Sequence, residues 1–423
     1  MVLAAPRKHF ILPFILGACF VPVDQRIIIE SLDFTPVRIL ILVGVLRILL
    51  RNEWRPVKLN IFDKTLLAWA ICGAIVYVLQ WGDMRAVIYK CGVLYDILGL
   101  YGLFRHSIRS WQDVRYTIKI LALCLLIMTP FIMLEWSTGR NPFALIGMVV
   151  TEVRDGHLRC QASFQISILM GVFWATMFPL FFSMAMTDKN KLLYWGAVIA
   201  SIAAVFASAS STPLGALIVV LLIIGAFKWR QHTSIAWMGF FVLLVGLHLV
   251  MKAPVWHLLA RVNIVEGSTG WYRYYLIEQA VNHFSEWAWL GTRDTSGWEY
   301  RFDNPHQFDI TNQFVLEGVL GGAVTLCLFI VLIGLGFHTL AKHYRQSHER
   351  QQLWISWGLF VAMIANCVSF LGVSYFGQIW ILLYLQFGII GFIAQENVKE
   401  KPVFWTPSLK RSSTLSGIVT SKE

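Results

Sequence analysis

Apolar runs long enough to cross a bilayer recur along almost the whole chain, and no soluble fold accommodates them. A spanning helix needs about 20 largely apolar residues, because the hydrocarbon core is about 30 Å thick and a helix rises about 1.5 Å per residue. The runs are 10–23, 36–50, 65–80, 86–104, 117–136, 165–186, 192–210, 213–228, 234–251, 313–337, 353–373 and 376–394, the first three being short. They predict an all-α polytopic membrane protein with about 12 transmembrane helices, since a helix satisfies its own backbone inside lipid. Composition agrees: 57% of the 423 residues are hydrophobic and 14% are charged, too few polar side chains to cover soluble surfaces. A soluble enzyme, a disulfide scaffold and a disordered chain are excluded. Of the 7 cysteines only Cys160 lies in a polar loop, and the others read as small core residues.

Charge orients the runs. The net charge of +11 would suit a nucleic-acid partner if it were clustered on one surface, but here the cations lie in short loops between apolar runs. Of 35 Lys and Arg, 23 fall in alternate segments on one side, and 11 on the other, with Lys90 inside a run. The positive-inside rule places the first set, and both termini, in the cytoplasm. Arg7 and Lys8 before an apolar stretch resemble a signal peptide, and Leu16-Gly17-Ala18-Cys19 resembles a lipoprotein cleavage box. The segment is kept as the first span.

The expected organisation follows. Residues 1–251 hold spans one to nine, with an outer loop at 137–164. Residues 252–312 form a large outer loop, residues 313–394 hold the last three spans, and 395–423 form a polar cytoplasmic tail that is expected to be disordered. Within the large loop, Thr269 to Trp287 predicts an amphipathic helix lying along the outer membrane boundary. Its apolar stripe is Trp271, Tyr274, Tyr275, Val281 and Phe284, with Ser268 or Thr269 as cap. Trp229, Trp256, Trp287 and Trp289 sit at run ends, where an interfacial belt or sugar stacking both account for them.

Several chemistries lack their motifs. There is no GxxxxGK[ST], no HExxH, no paired CxxC and no Asp-x-Asp. His338, His343 and His348 recur at five-residue spacing in what reads as a solvated basic loop. No metal and no cofactor is therefore expected. The outer loops carry arginines in two groups: Arg154 with Arg159, and Arg273, Arg293 and Arg301. Arginine captures phosphate oxygens in bidentate fashion, and a phosphate presented outside the cytoplasm most plausibly belongs to a lipid carrier. Glu278, His306 and Asp309 are the nearby proton acceptors. Glycosyl transfer from a diphosphate-linked sugar needs these two functions, neutralisation of the leaving group and a placed base. Inside the runs, Asp96 needs a partner on another helix, Lys90 can snorkel outward, and Gly318 and Gly322 form a small-xxx-small seam.

A set of ordered segments resembles the O-antigen ligase and polymerase-like membrane glycosyltransferases of bacterial envelope polysaccharides. They are Val21-Pro22-Val23-Asp24-Gln25-Arg26 with Asp33-Phe34, Glu135 through Arg140-Asn141-Pro142-Phe143, Arg154 to Phe164, Ser208-Ala209-Ser210-Ser211, Gly270-Trp271-Tyr272-Arg273, and Asp309-Ile310-Thr311-Asn312-Gln313-Phe314 followed by Glu317-Gly318. The likeness runs from about Val21 to Gly391. It implies a GT-C-like fold in the bacterial inner membrane, with catalysis at the periplasmic face. It also implies an undecaprenyl-diphosphate-linked glycan as donor and a glycan or lipid as acceptor. On the matching positions, Arg273 is the main diphosphate ligand, Arg154 and Arg159 support it, and His306 is the loop histidine. Arg301 and Asn312 are further substrate-binding candidates, and Glu278 is the other candidate base. The chain departs from the pattern where Thr212-Pro213 follows Ser211 and where Gln165-Ile166-Ser167 precedes the sixth run. Ligase and polymerase both remain open, and a lipid-linked glycan transporter or flippase is the rival class.

Overall fold

The structure, a computed structural model, describes residues 3, 6–22, 24–29, 32–147, 149–154, 156–261, 270–298 and 309–399. Helices account for nearly all of it: α1 (Leu12–Phe20), α2 (Pro36–Leu50), α3 (Ile61–Trp81), α4 (Met84–Ser107), α5 (Trp111–Thr138), α6 (Ser167–Thr187), α7 (Lys191–Ala207), α8 (Ser211–Gly225), α9 (Thr233–Val250), α10 (Gly270–Asn282), α11 (Phe284–Trp287), α12 (Gln313–Gln346), α13 (Arg350–Phe370) and α14 (Ile379–Lys399). Each of the twelve predicted runs overlaps one of these helices. Eight helical stretches among the described residues are long and apolar enough to cross a bilayer, with α8 and α9 joined through a 3-10 segment into one stretch of 40 residues. The architecture is that of a polytopic membrane protein. Helix α1 is short, at 9 residues rising about 13 Å, and buries Phe14, Ile15, Ala18 and Cys19 against its neighbours.

Helix starts are written locally. Asn60 and Asp63 form a reciprocal capping box on α3. Asp83 caps α4 and Ser110 caps α5, each accepting from the backbone N–H three residues on. Around the almost wholly buried α6 pack α7, α8 and α13, while α12 lies against α3, α13 and α14.

The connections gather at two ends. At the basic end Arg7 pairs with Asp113 at 3.3 Å and Arg115 donates to Gln351 at 2.6 Å. At the opposite, loop end, Gln378 donates to the Ser163 carbonyl at 2.8 Å, and the Tyr375 N–H donates to Gln313 at 2.7 Å. Two short hairpins also lie there, β1 (Ile27–Ile29) with β2 (Leu32–Phe34), and β3 (Glu152–Arg154) with β4 (His157–Arg159).

Three expectations are corrected. Helix α12 continues to Gln346, so His338 and His343 are helical rather than loop, while His348 lies in the exposed connection that follows. His343 is buried, meets the Ser356 hydroxyl at 2.8 Å and lies on the Trp111 ring. Gly318 and Gly322 are not a seam between two helices. Gly318 lets the Trp287 ring lie on α12, and Gly322, at φ +70°, breaks the helix so that the Ala323 N–H donates to the Ala288 carbonyl at 2.8 Å. The pair is where the large loop plugs into α12. The amphipathic helix is present as α10, but it ends at Asn282, and its protein-facing side is Leu276 and Ala280. Trp271, Val281 and Phe284 of the predicted stripe point outward, each at least 40% exposed. The cap candidates Ser268 and Thr269 lie outside the described residues.

Candidate functional site

The β3–β4 hairpin begins the site. Its register sets Glu152 opposite Arg159 and Arg154 opposite His157, so these four side chains share one face. Gly156, at φ +78°, supplies the left-handed turn residue. The Cys160 N–H donates to the Ala207 carbonyl at 3.0 Å and ties the hairpin to the C-terminal end of α7. From there the chain turns through Ser208 and Ala209, the latter at φ +43°, into Ser210, which precedes α8.

Arg159 reaches across this junction. Its Nη2 donates to the Ser210 hydroxyl at 2.7 Å and its Nη1 to Glu152 at 2.8 Å. Arg273 arrives from α10 and donates through Nη2 to the Thr212 hydroxyl at 2.9 Å, in the first turn of α8. The Nε atoms of Arg159 and Arg273 are both buried without a hydrogen-bond partner among the described residues. Burial, and then the charge of Arg154, disfavour the charged state of Arg273; burial and Arg154 act likewise on Arg159, against Glu152. Three guanidinium groups therefore share one field, and one half-exposed carboxylate, Glu152, pairs with Arg159. Helix α8 adds the positive end of its dipole, and no side chain caps its start. Like charges held together over a helix N-terminus form an anion cradle, because a bound anion relieves their repulsion.

A glycine closes one wall. A Cβ built on Gly372, in the α13–α14 loop, would lie 2.6 Å from the Thr212 hydroxyl and 3.1 Å from Arg273 Nε. Beneath the hairpin, the buried Glu135 carboxylate accepts from the Gln161 and Ala162 N–H groups at 3.1 and 2.9 Å and from the Thr151 hydroxyl at 2.9 Å. It fixes the chain leading away from Arg159.

The predicted site residues divide. Arg154, Arg159 and Arg273 come together. Arg293 does not: it bonds the Gln80 carbonyl and covers the Trp81 ring at the end of α3. Glu278 lies five residues after Arg273, about 140° around α10, and accepts from the Trp256 indole at 2.6 Å. Asn312 accepts from the Phe314 and Val315 N–H groups at 3.0 and 3.2 Å, so its amide oxygen caps α12. Arg301 and His306 lie outside the described residues. The Asp309 carbonyl accepts from the Tyr272 hydroxyl at 2.6 Å, beside Arg273 in sequence, and partial burial raises the Asp309 carboxyl above the ordinary aspartate range. Ser210, Thr212 and Gly372 are partners that sequence reasoning did not single out. The Ser208–Ser211 element and the Thr212-Pro213 departure marked the first two, while nothing local marks Gly372. Among the described residues no group of three His, Cys, Asp or Glu side chains is placed to hold a metal ion.

No family model matches the chain, and no curated protein matches it.

Proposed function

We propose that the protein is a metal-independent glycosyltransferase of the bacterial inner membrane, acting on glycan carried by undecaprenyl diphosphate. In this reading the chain crosses the membrane twelve times, both termini are cytoplasmic and the loop end is periplasmic. The observation that carries it is the convergence of Arg154, Arg159 and Arg273 over the start of α8. A diphosphate leaving group gains charge as the bond from the anomeric carbon to the phosphate oxygen breaks. Guanidinium groups and a helix N-terminus stabilise that charge. The acceptor hydroxyl forms the new bond to the anomeric carbon and passes its proton to a base. Glu278 is turned away from Arg273, so that role falls to His306 or to Asp309, whose raised carboxyl suits proton uptake. The product is a longer lipid-linked glycan or a glycan ligated to a lipid acceptor.

The rival reading, transport of a lipid-linked glycan, draws on a cavity among the spanning helices that Lys90, Asp96 and Glu317 line. One experiment separates them. Purified protein is mixed with a defined lipid-diphosphate glycan, and the products are weighed by mass spectrometry. Bond transfer that Arg273→Ala abolishes, at unchanged protein level, supports the transferase. Translocation without any bond change supports transport and defeats our reading.

A further inference from the structure

That cavity has a volume of about 430 Å³, within the range of ligand sites, and lies between α2, α3, α4, α12 and α14. Ala70, Gly73 and Ala74 of α3 and Gly321 and Thr325 of α12 line part of it with small side chains. It is largely apolar, with Val93, Leu94 and Ile97 of α4 forming a descending track opposite Leu316 and Leu320 of α12.

Its charged groups are not equivalent. Arg38 holds Asp96 in a bidentate pair, Nε and Nη2 each lying 3.0–3.2 Å from the carboxylate oxygens. Glu317 accepts from the Trp69 indole at 2.9 Å and from Gln313 at 2.8 Å. Lys90 forms no ion pair among the described residues; its Nζ lies 4.3 Å from the centre of the Tyr77 ring and 5.7 Å from that of Tyr89. Lys90 stands six residues inside α4, about 9 Å below the loop end of that helix. Aromatic faces hold the ammonium there, with the Glu317 carboxyl lining the same cavity.

We propose that this cavity seats a phosphate-headed lipid, with its chain along α4 and α12 and its phosphate on Lys90. The site is separate from the arginine cradle, although the loop between α13 and α14 borders both: a Cβ at Gly372 would meet Arg273, and Tyr375 to Gln378 line the cavity. This inference does not rest on the glycosyl-transfer reading.

Native mass spectrometry of the full chain in detergent tests it. The probes are phosphatidylglycerol, a polyprenyl monophosphate, a diacylglycerol with matching chains, and inorganic phosphate. One or both phosphate lipids are expected to bind, which identifies the source. Diacylglycerol should bind roughly tenfold more weakly and inorganic phosphate not at all, since one charge-assisted contact and the chain each contribute. Lys90→Met and the cavity-filling Leu94→Trp are each expected to weaken retention of the bound lipid roughly tenfold by separate routes. Glu317→Gln, which removes the opposing charge at constant size, should strengthen it. Equal binding of diacylglycerol, wild-type retention in both Lys90→Met and Leu94→Trp, or loss of phosphatidylglycerol in Arg273→Gln would overturn the proposal.

Discussion

The Gly372 wall makes the anion cradle testable without touching an arginine. In Gly372→Ala the new methyl group falls 2.6 Å from the Thr212 hydroxyl and 3.1 Å from its methyl group. Contacts below 3 Å are not tolerated, so Thr212 must retreat, and its 2.9 Å bond from Arg273 stretches out of range. A hydrogen bond to a charged group contributes about 1.5–3 kcal/mol, and each 1.36 kcal/mol is tenfold in rate. The expected loss of glycan transfer is therefore about tenfold to about 150-fold. Crowding of this kind also costs about 1–3 kcal/mol of stability, so the assay must separate the two effects. Thr212→Val does that: it removes the hydroxyl at constant volume and should reproduce the loss of transfer. Thr212→Ser keeps the hydroxyl and should stay near wild type. The measurement is transfer from a lipid-diphosphate glycan in membranes matched for protein content. Wild-type rates in both Gly372→Ala and Thr212→Val would refute the claim that the Arg273–Thr212 contact positions a working cation.

Two further outcomes follow from the loops beneath the cradle. Glu135→Ala strips the Gln161 and Ala162 N–H groups of their acceptor, and each buried orphan costs about 1–3 kcal/mol, so a clear fall in melting temperature in detergent is expected; an unchanged melting temperature would show that Glu135 is no clamp. Burial first, and then the Glu135 charge, push the Cys160 thiol up to about 12, so it stays neutral and unreactive at physiological pH, with only about one part in ten thousand as thiolate at pH 8. Alkylation of Cys160, followed by peptide mass spectrometry, should be negligible at pH 8 and gain about tenfold per pH unit above it; rapid labelling at pH 8 would contradict this.

The apolar runs were legible because lipid imposes a one-dimensional rule: length and hydrophobicity along the chain decide where helices form. That rule located all twelve helical runs, and the alternation of charge foretold which loops meet at each end. Arg154, Arg159 and Arg273 could be nominated, since guanidinium chemistry does not depend on the fold. Their meeting was a tertiary decision. It took a hairpin register, the strained turn at Ala209 and a helix arriving from a loop more than a hundred residues away. The same packing set Glu278 on Trp256, Arg293 on the end of α3 and Asn312 at a helix cap, none of which spacing could foresee. Asp96 required a partner by the cost of burying a charge, but only the crossing of α2 and α4 chose Arg38. Which segments are helical and apolar, and which chemistries are on hand, could thus be read from the sequence by itself, because solvation acts on each residue separately. Which groups converge depends on contacts between distant segments, and those belong to the folded chain alone.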